Sequence, residues 1–314
     1  VLLTYNRIDI AFKIIFIEML GYDVDFSEKL YVKHLKSFGL GEIREPGNII
    51  KNSSMAFINE FNSTFDSIKL RGYDKSKTII PITNRGSILN GAHRIACSIL
   101  LKKNVYAVNL NIEDHLYNYK YFIERNMSED EVEVAVNTFV AHASNVYIAL
   151  VWPSAIGGDN EIQKSIKNII YSKKIQLNKN GAKNLLTQVY FEEEWIGDES
   201  NGFNGIFDKL DKCFSQKSEL RVIAFHENSL AQVLRIKEEI RGFFQIGKHS
   251  IHITDNKEEA LRIAHLLFNS NSVHFLNNAF PVNNNSYRSL HKMKHLLKEN
   301  NVSESDIVLD SGIV

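Results

Sequence analysis

The sequence predicts an α/β protein: an α+β amino-terminal unit followed by an α/β layered unit around a mixed or parallel sheet. Three observations predict it. Segments with helical period, closed by glycines, fill the first third; a short strand–turn–strand runs into a helix at "SILNGAHRIACSILLKK" (Ser87–Lys103); and beyond Asn145 helix-period and strand-period segments alternate. The boundary falls within residues 115–144, giving an amino-terminal unit over 1–115, a helical connector over 116–144 and the layered unit over 145–314.

The elements follow in order. "RIDIAFKIIFIEMLG" reads as a buried helix, and "SEKLYVKHLKSFG" as a second helix with Ser27 as cap and Gly39 as stop. Phe57, Phe61, Phe65 and Ile68 recur at helical spacing between Ser53 and Gly72. "TIIPIT" and "SIL" form strands around "NRG", and "NVYAVNLN" forms another. Ser128 and Glu131 make a capping box for "SEDEVEVAVNTFVAHA". Then come the strand "NVYIALVW", the helix "EIQKSIKNIIYS", the strand "KIQL", the helix "GAKNLLTQVYF", the strand "LRVIAFH" and the helix "SLAQVLRIKEEIRGFF". "HSIHIT" and "SVHFL" read as strands on either side of a helix capped by Asp255 with Glu258; a last helix, "SYRSLHKMKHLLKEN", precedes a β-like "DIVLDSGIV".

Composition narrows the function. Lys+Arg and Asp+Glu are both 37, so the formal net charge is zero, and with no basic stripe this argues against nucleic acid as partner. Two cysteines, Cys97 and Cys213, support neither a disulfide framework nor a zinc cluster and fit a reducing, cytoplasmic setting. No apolar run reaches the roughly 18 residues of a membrane span; Asp9, Lys13 and Glu18 interrupt the first apolar stretch. The chain begins on Val1 and stops within a β-like run at Val314, as expected of a piece of something longer.

The chemistry concentrates at the strand-to-helix turn. Gly91 lets an anion approach the backbone, the first N–H groups of the following helix have no internal partner, and His93 and Arg94 stand in its first turn. A cation there is disfavoured by the helix dipole unless an anion is bound. Upstream, "GLGEIREPGNIIKNS" offers Glu42, Glu45 and Lys51 on a glycine-rich loop, with Glu45 held extended before Pro46. Elsewhere the plainer alternatives weigh more. His34 reads as a satisfied or exposed histidine, Cys97 as core, and His249 and His252 as diverging. Glu192–Glu194, Asp198 and Glu199 read as a solvated loop around Trp195, while Asn269, Asn271, His274 and Asn277 are candidates for lining a cleft.

"ILNGAHRIACSILL" resembles the signature of the ParB/sulfiredoxin-like superfamily, over about residues 27–112. The resemblance implies nucleotide phosphates gripped by Gly91, His93 and Arg94, with Ala96 packing the helix; Asn90 and Lys51 are further candidates for binding the nucleotide. ATP and Mg2+ are the implied cofactors, the metal's ligands being unknown. Asn90 stands where kinase and ParB-like members often carry an acid, so the carboxylate role passes to Glu45, then Glu42. Ala92 stands where sulfiredoxins carry their cysteine, which removes sulfinic-acid reduction. The expected activity is an ATP-dependent phosphotransferase, a kinase acting on a hydroxyl of a small molecule or sugar. The alternatives are a glycosyl- or nucleotidyl-transferase component of surface-polysaccharide synthesis, the carboxy-terminal half being similar to regions beside nucleotidyltransferase-like domains of bacterial glycan-synthesis proteins and its closing "DIVLDSGIV" to the strand that leads into such a domain, or a non-catalytic nucleotide-sensing or DNA-associated ParB-like module.

Overall fold

The computed structural model describes residues 3–45, 47, 50–198, 201–216, 219–280 and 284–303. Pro46, Glu199 and the run "DIVLDSGIV" lie outside them. The chain is α/β, as its periodicities predict, with two sheets among the described residues.

The amino-terminal unit is built around α1 (Asp9–Met19), whose residues from Asp9 to Ile17 are all buried. An apolar run this complete has no solvent face, so other elements must surround it. They are α2 (Val24–Phe38), α4 (Ala92–Leu100) and α6 (Glu129–His142), with α3 (Ser54–Arg71) laid on α4. Asp23 caps α2 by accepting the Phe26 amide at 2.9 Å, so the helix starts a turn before the expected Ser27, which is buried in it. Ser53 caps α3, and Gly72, at φ +74°, ends it as predicted. The strands β1 (Ile80–Ile82) and β2 (Ala107–Asn109) pair in parallel, and "SIL" contributes only a bridge from Ile88 to Ile82. A short α5 (Tyr119–Ile123) leads to α6, whose capping box forms as expected.

The second unit holds β3 (Val146–Val151), α7 (Asp159–Ser165), β4 (Ile169–Ile175), α8 (Lys179–Tyr190), α9 (Ile206–Cys213), β5 (Leu220–His226), α10 (Leu230–Phe244), β6 (Ile251–Ile253), α11 (Lys257–Leu267), α12 (Ser270–Asn278) and α13 (Asn284–Glu299). The sheet order is β4-β5-β3-β6, and every described pairing in it is antiparallel. Helix–strand alternation predicted mixed or parallel pairing; here the crossovers β3–α7–β4 and β5–α10–β6 each skip one position, and the skipped place is filled by an antiparallel strand, as in split β-α-β arrangements, while β4 and β5, joined through α8 and α9, are direct neighbours. Along β3, Tyr147, Ala149 and Val151 face α7 and α10, while Ile148 and Leu150 face the core shared with α6, α8 and α11. That second core is continuous with the one around α1.

Three local expectations are corrected. "SVHFL" is helical, within α12, because Asn269 caps a helix there by accepting the Ser272 amide at 3.0 Å. Asn256, not Asp255, caps α11, and Glu259 rather than Glu258 reaches back to the Asp255 amide. "KNIIYS" belongs mostly to β4 rather than to the preceding helix, which ends at Ser165.

Candidate functional site

Gly91 sits at the start of α4 with φ +89°, and no side chain caps the helix. A Cβ at this position would stand 2.6 Å from Ile80 Cδ1 and 3.0 Å from Arg94 Nη2. Glycine is therefore required both by the left-handed backbone and by the closeness of β1. The Gly91 amide donates to Asn90 Oδ1 at 2.5 Å, leaving the next amides of the helix without a side-chain acceptor.

A cavity of about 620 Å3 opens beside this turn, and Glu42, Glu45, Asn90, Gly91 and His93 all line it. The structure thus brings the glycine-rich loop and the helix start together. Arg94 goes elsewhere. It lines a second cavity of about 620 Å3, with Glu60, Thr64, Arg71, Lys75 and Tyr106 among its walls. His93 and Arg94, adjacent in sequence, so face two different spaces across the amino end of α4. Lys51 lies between them: its Nζ is 2.9 Å from Glu45, in the first cavity, and 2.7 Å from Glu60, in the second. Burial works against its charge, but the bonds to Glu60 and Glu45 raise its pKa and keep it cationic. Glu42 pairs with Arg44 at 2.7 Å on the exposed rim.

The wall formed by α1 was not foreseen. Arg7 grips Asp9 through two bonds of 2.7 and 2.9 Å, and Lys13 Nζ lies 3.3 Å from the same carboxylate; all three are buried, and all three line the first cavity. Arg7 also donates to the Ile88 carbonyl, which ties α1 to the strand leading into Gly91. Burial would raise Asp9, yet Arg7 and Lys13 hold it well below the usual carboxylate range. Burial, reinforced by Arg7, lowers Lys13 to about 8 against the pull of Asp9. With Lys13 protonated, two cations face one carboxylate, an excess of one positive charge in a dehydrated wall, which favours an anion in the cavity. The signal was present in the sequence as charges spaced i, i+4 inside an otherwise apolar helix.

His93 is half-buried, and its Nε2 lies 2.7 Å from the hydroxyl of the fully buried Tyr31. Burial, then Lys13 and Lys51, push its pKa well below the ordinary histidine value, so it is a neutral hydrogen-bonding group rather than a cation. His34 lies behind it, fully buried and packed by Phe12, Tyr31, Phe38 and Phe122, with neither ring nitrogen hydrogen-bonded. Cys97 is buried, and burial pushes its thiol up to about 12, so it is core. In the second unit His252 pairs with Glu259 at 2.7 Å, while His249 turns to Cys213 at 4.0 Å; the two histidines do not converge. Asn277 bonds the Asn178 amide at 2.9 Å, which makes it a tie between α8 and α12.

Among the described residues no three His, Cys, Asp or Glu side chains are grouped to hold a metal ion, and no helix is long and apolar enough to cross a membrane. In comparisons with known proteins, no family model, no curated protein and no solved structure matches the chain.

Proposed function

We propose that this chain is a phosphotransferase that moves the terminal phosphoryl group of ATP to a hydroxyl of a small molecule or sugar. The observation that carries the proposal is the division of space at α4: its uncapped amino end lies between two cavities of similar volume, one whose basic residues outnumber Glu60 and Asp74 and one that presents Glu42 and Glu45 opposite Arg7 and Lys13. A transfer between two ligands needs two seats that meet where the phosphoryl group moves.

In this reading ATP takes the cavity of Arg94, where Arg71, Lys75 and Lys77 add positive charge and Ser63, Thr64 and Ser67 add hydroxyls. Arg94 Nη2 lies against Gly91, so its guanidinium and the α4 amides address the same phosphoryl oxygens. The acceptor takes the other cavity, its hydroxyl on Glu45 and any anionic end toward Lys13. The hydroxyl oxygen attacks phosphorus, the bond to the β,γ-bridging oxygen breaks, ADP leaves with the electron pair, and the hydroxyl proton passes to the Glu45 carboxylate. His93, neutral and anchored by Tyr31, hydrogen-bonds rather than neutralises charge. The residues fit a phosphate chain; no described trio fits a protein-held Mg2+, so in this reading Mg2+ enters as the counter-ion of ATP. The resemblance of "NGAHR" to the ParB/sulfiredoxin-like signature supports the same reading.

The test is ATP turnover with Mg2+ against a panel of hydroxyl acceptors. Turnover that Glu45→Gln lowers at least tenfold, with folding intact, supports the assignment; no turnover with any acceptor, together with no thermal shift on adding ATP, overturns it.

A further inference from the structure

Among the described residues, no strand pairs with the outer edge of β2. The Ile80 amide donates to the Tyr106 carbonyl at 2.8 Å and the Leu110 amide to the Ile82 carbonyl at 3.0 Å. Even-numbered residues of the β2 segment therefore spend their backbone groups on β1, and Ala107 and Asn109 point theirs away from it. Tyr106, Val108 and Leu110 alternate onto one face, each between 44% and 49% exposed, while Val105 packs on the core from the other face. An unpaired edge beside an apolar face is a template for another strand.

The charges around this edge say which strand. Lys102 and Lys103 precede the segment; Glu113 and Asp114 follow it. Asp114 is engaged by the Thr83 hydroxyl, but the side chains of Lys103 and Glu113 are exposed and make no hydrogen bond or ion pair among the described residues. A segment basic at its start and acidic at its end complements itself when two copies run antiparallel; run parallel, the two copies would oppose like charges. With the twofold axis at Val108, Ala107 faces Asn109 of the partner subunit. Both carry outward N–H and C=O groups, so the parity suits a narrow pair that exchanges both hydrogen bonds. The same axis continues the face of Tyr106, Val108 and Leu110 into its copy. Asn111, at φ +56°, ends the ladder, and the charged residues lie just beyond it at both ends.

We propose that the chain forms a reversible twofold dimer by antiparallel pairing of the β2 edges, joining two two-stranded sheets into one of four strands, with Lys103 of each copy set against Glu113 of the partner subunit. Isologous pairing of this kind needs only one self-complementary patch.

Sedimentation velocity of the full chain over a concentration series tests it. The parent is expected to shift from monomer to dimer. Lys103→Glu and Glu113→Lys each place like charges at both ends and are expected to remain monomeric where the parent is dimeric. The double variant Lys103→Glu/Glu113→Lys restores the dimer, and an equimolar mixture of the two single variants forms a heterodimer. Circular dichroism checks that each variant is folded, and recovery by the double variant excludes misfolding as the cause of loss. A parent that stays monomeric throughout, or single variants that dimerise like the parent, would overturn the proposal, as would a double variant that stays monomeric.

Discussion

Tyr31 Oη and His93 Nε2 meet at 2.7 Å, joining α2 to the first turn of α4 beneath the cavity that Glu45 and Gly91 line. Tyr31 is fully buried against Phe16 and Phe61, so it holds the imidazole from a rigid base. Tyr31→Phe keeps that packing and removes one bond. Denaturant unfolding is expected to show a loss of about 1 kcal/mol. ATP turnover should fall by more than that loss of stability explains, because His93 loses its orientation.

Gly91→Ala meets both a left-handed φ of +89° and Ile80 Cδ1 at 2.6 Å. The expected cost is about 1–3 kcal/mol, read from denaturant unfolding, together with loss of the thermal shift given by ATP. A variant as stable as the parent would show that β1 and α4 part more easily than their packing implies.

Asp9→Asn leaves Arg7 and Lys13 buried without their counter-charge. Breaking a buried pair in this way costs about 3–5 kcal/mol. The pH dependence has a definite sign. Asp9 is held well below its ordinary value in the folded chain, so between the folded and unfolded values only the unfolded chain takes the proton. The contribution of Asp9 is therefore full above the ordinary carboxylate range, declines as pH falls below that range and is lost once pH reaches the lower folded value. Unfolding midpoints of parent and Asp9→Asn should converge as the pH is lowered.

His34 and His93 are both held well below the ordinary histidine value, chiefly by burial and then by Lys13. Below about pH 6.5 the unfolded chain binds protons that the folded chain refuses, so stability falls by about 1.4 kcal/mol per pH unit for each of them. His34→Leu removes one of these protons and two unbonded ring nitrogens. The variant is expected to unfold at a higher temperature than the parent at pH 5 and to show a shallower pH slope, measured by thermal melts from pH 5 to 8.

Arg94→Ala separates binding from folding. Arg94 makes no hydrogen bond or ion pair among the described residues and faces a cavity. Its loss should leave the ligand-free melting temperature nearly unchanged while reducing the shift on adding ATP with Mg2+ and lowering turnover at least tenfold. An ATP shift equal to the parent's would remove Arg94 from the nucleotide seat.

Local signals were legible where one segment settles its own structure. Ser53 and Gly72 bound α3, Ser128 and Glu131 open α6, and Gly91 marks the start of α4. The pairing of β3 with β5 and β6 was not legible, because hydrophobic pattern does not state which strand becomes a neighbour. "SVHFL" was ambiguous because a short apolar run fits helix and strand alike, and Asn269 decides it. At the site, Glu42, Glu45, Gly91 and His93 stand out in the sequence, and the structure brings all four to one cavity. The separation of His93 from Arg94 was not legible, since it depends on how α4 is rotated against α3. Arg7, Asp9 and Lys13 looked like interruptions of an apolar run; their role needs the cavity that other segments complete.

The interleaved sheet also has a kinetic meaning. β3 is completed on both edges only by strands from much later in the chain, β5 and β6. During synthesis the helices around α1 can assemble while β3 waits, fully apolar, with both edges open. Contacts of such long reach slow folding and leave that strand available to wrong partners until β5 arrives. A chain cut before Leu220 should therefore aggregate through β3, and a chaperone that shields a short apolar strand would raise the yield of the whole protein.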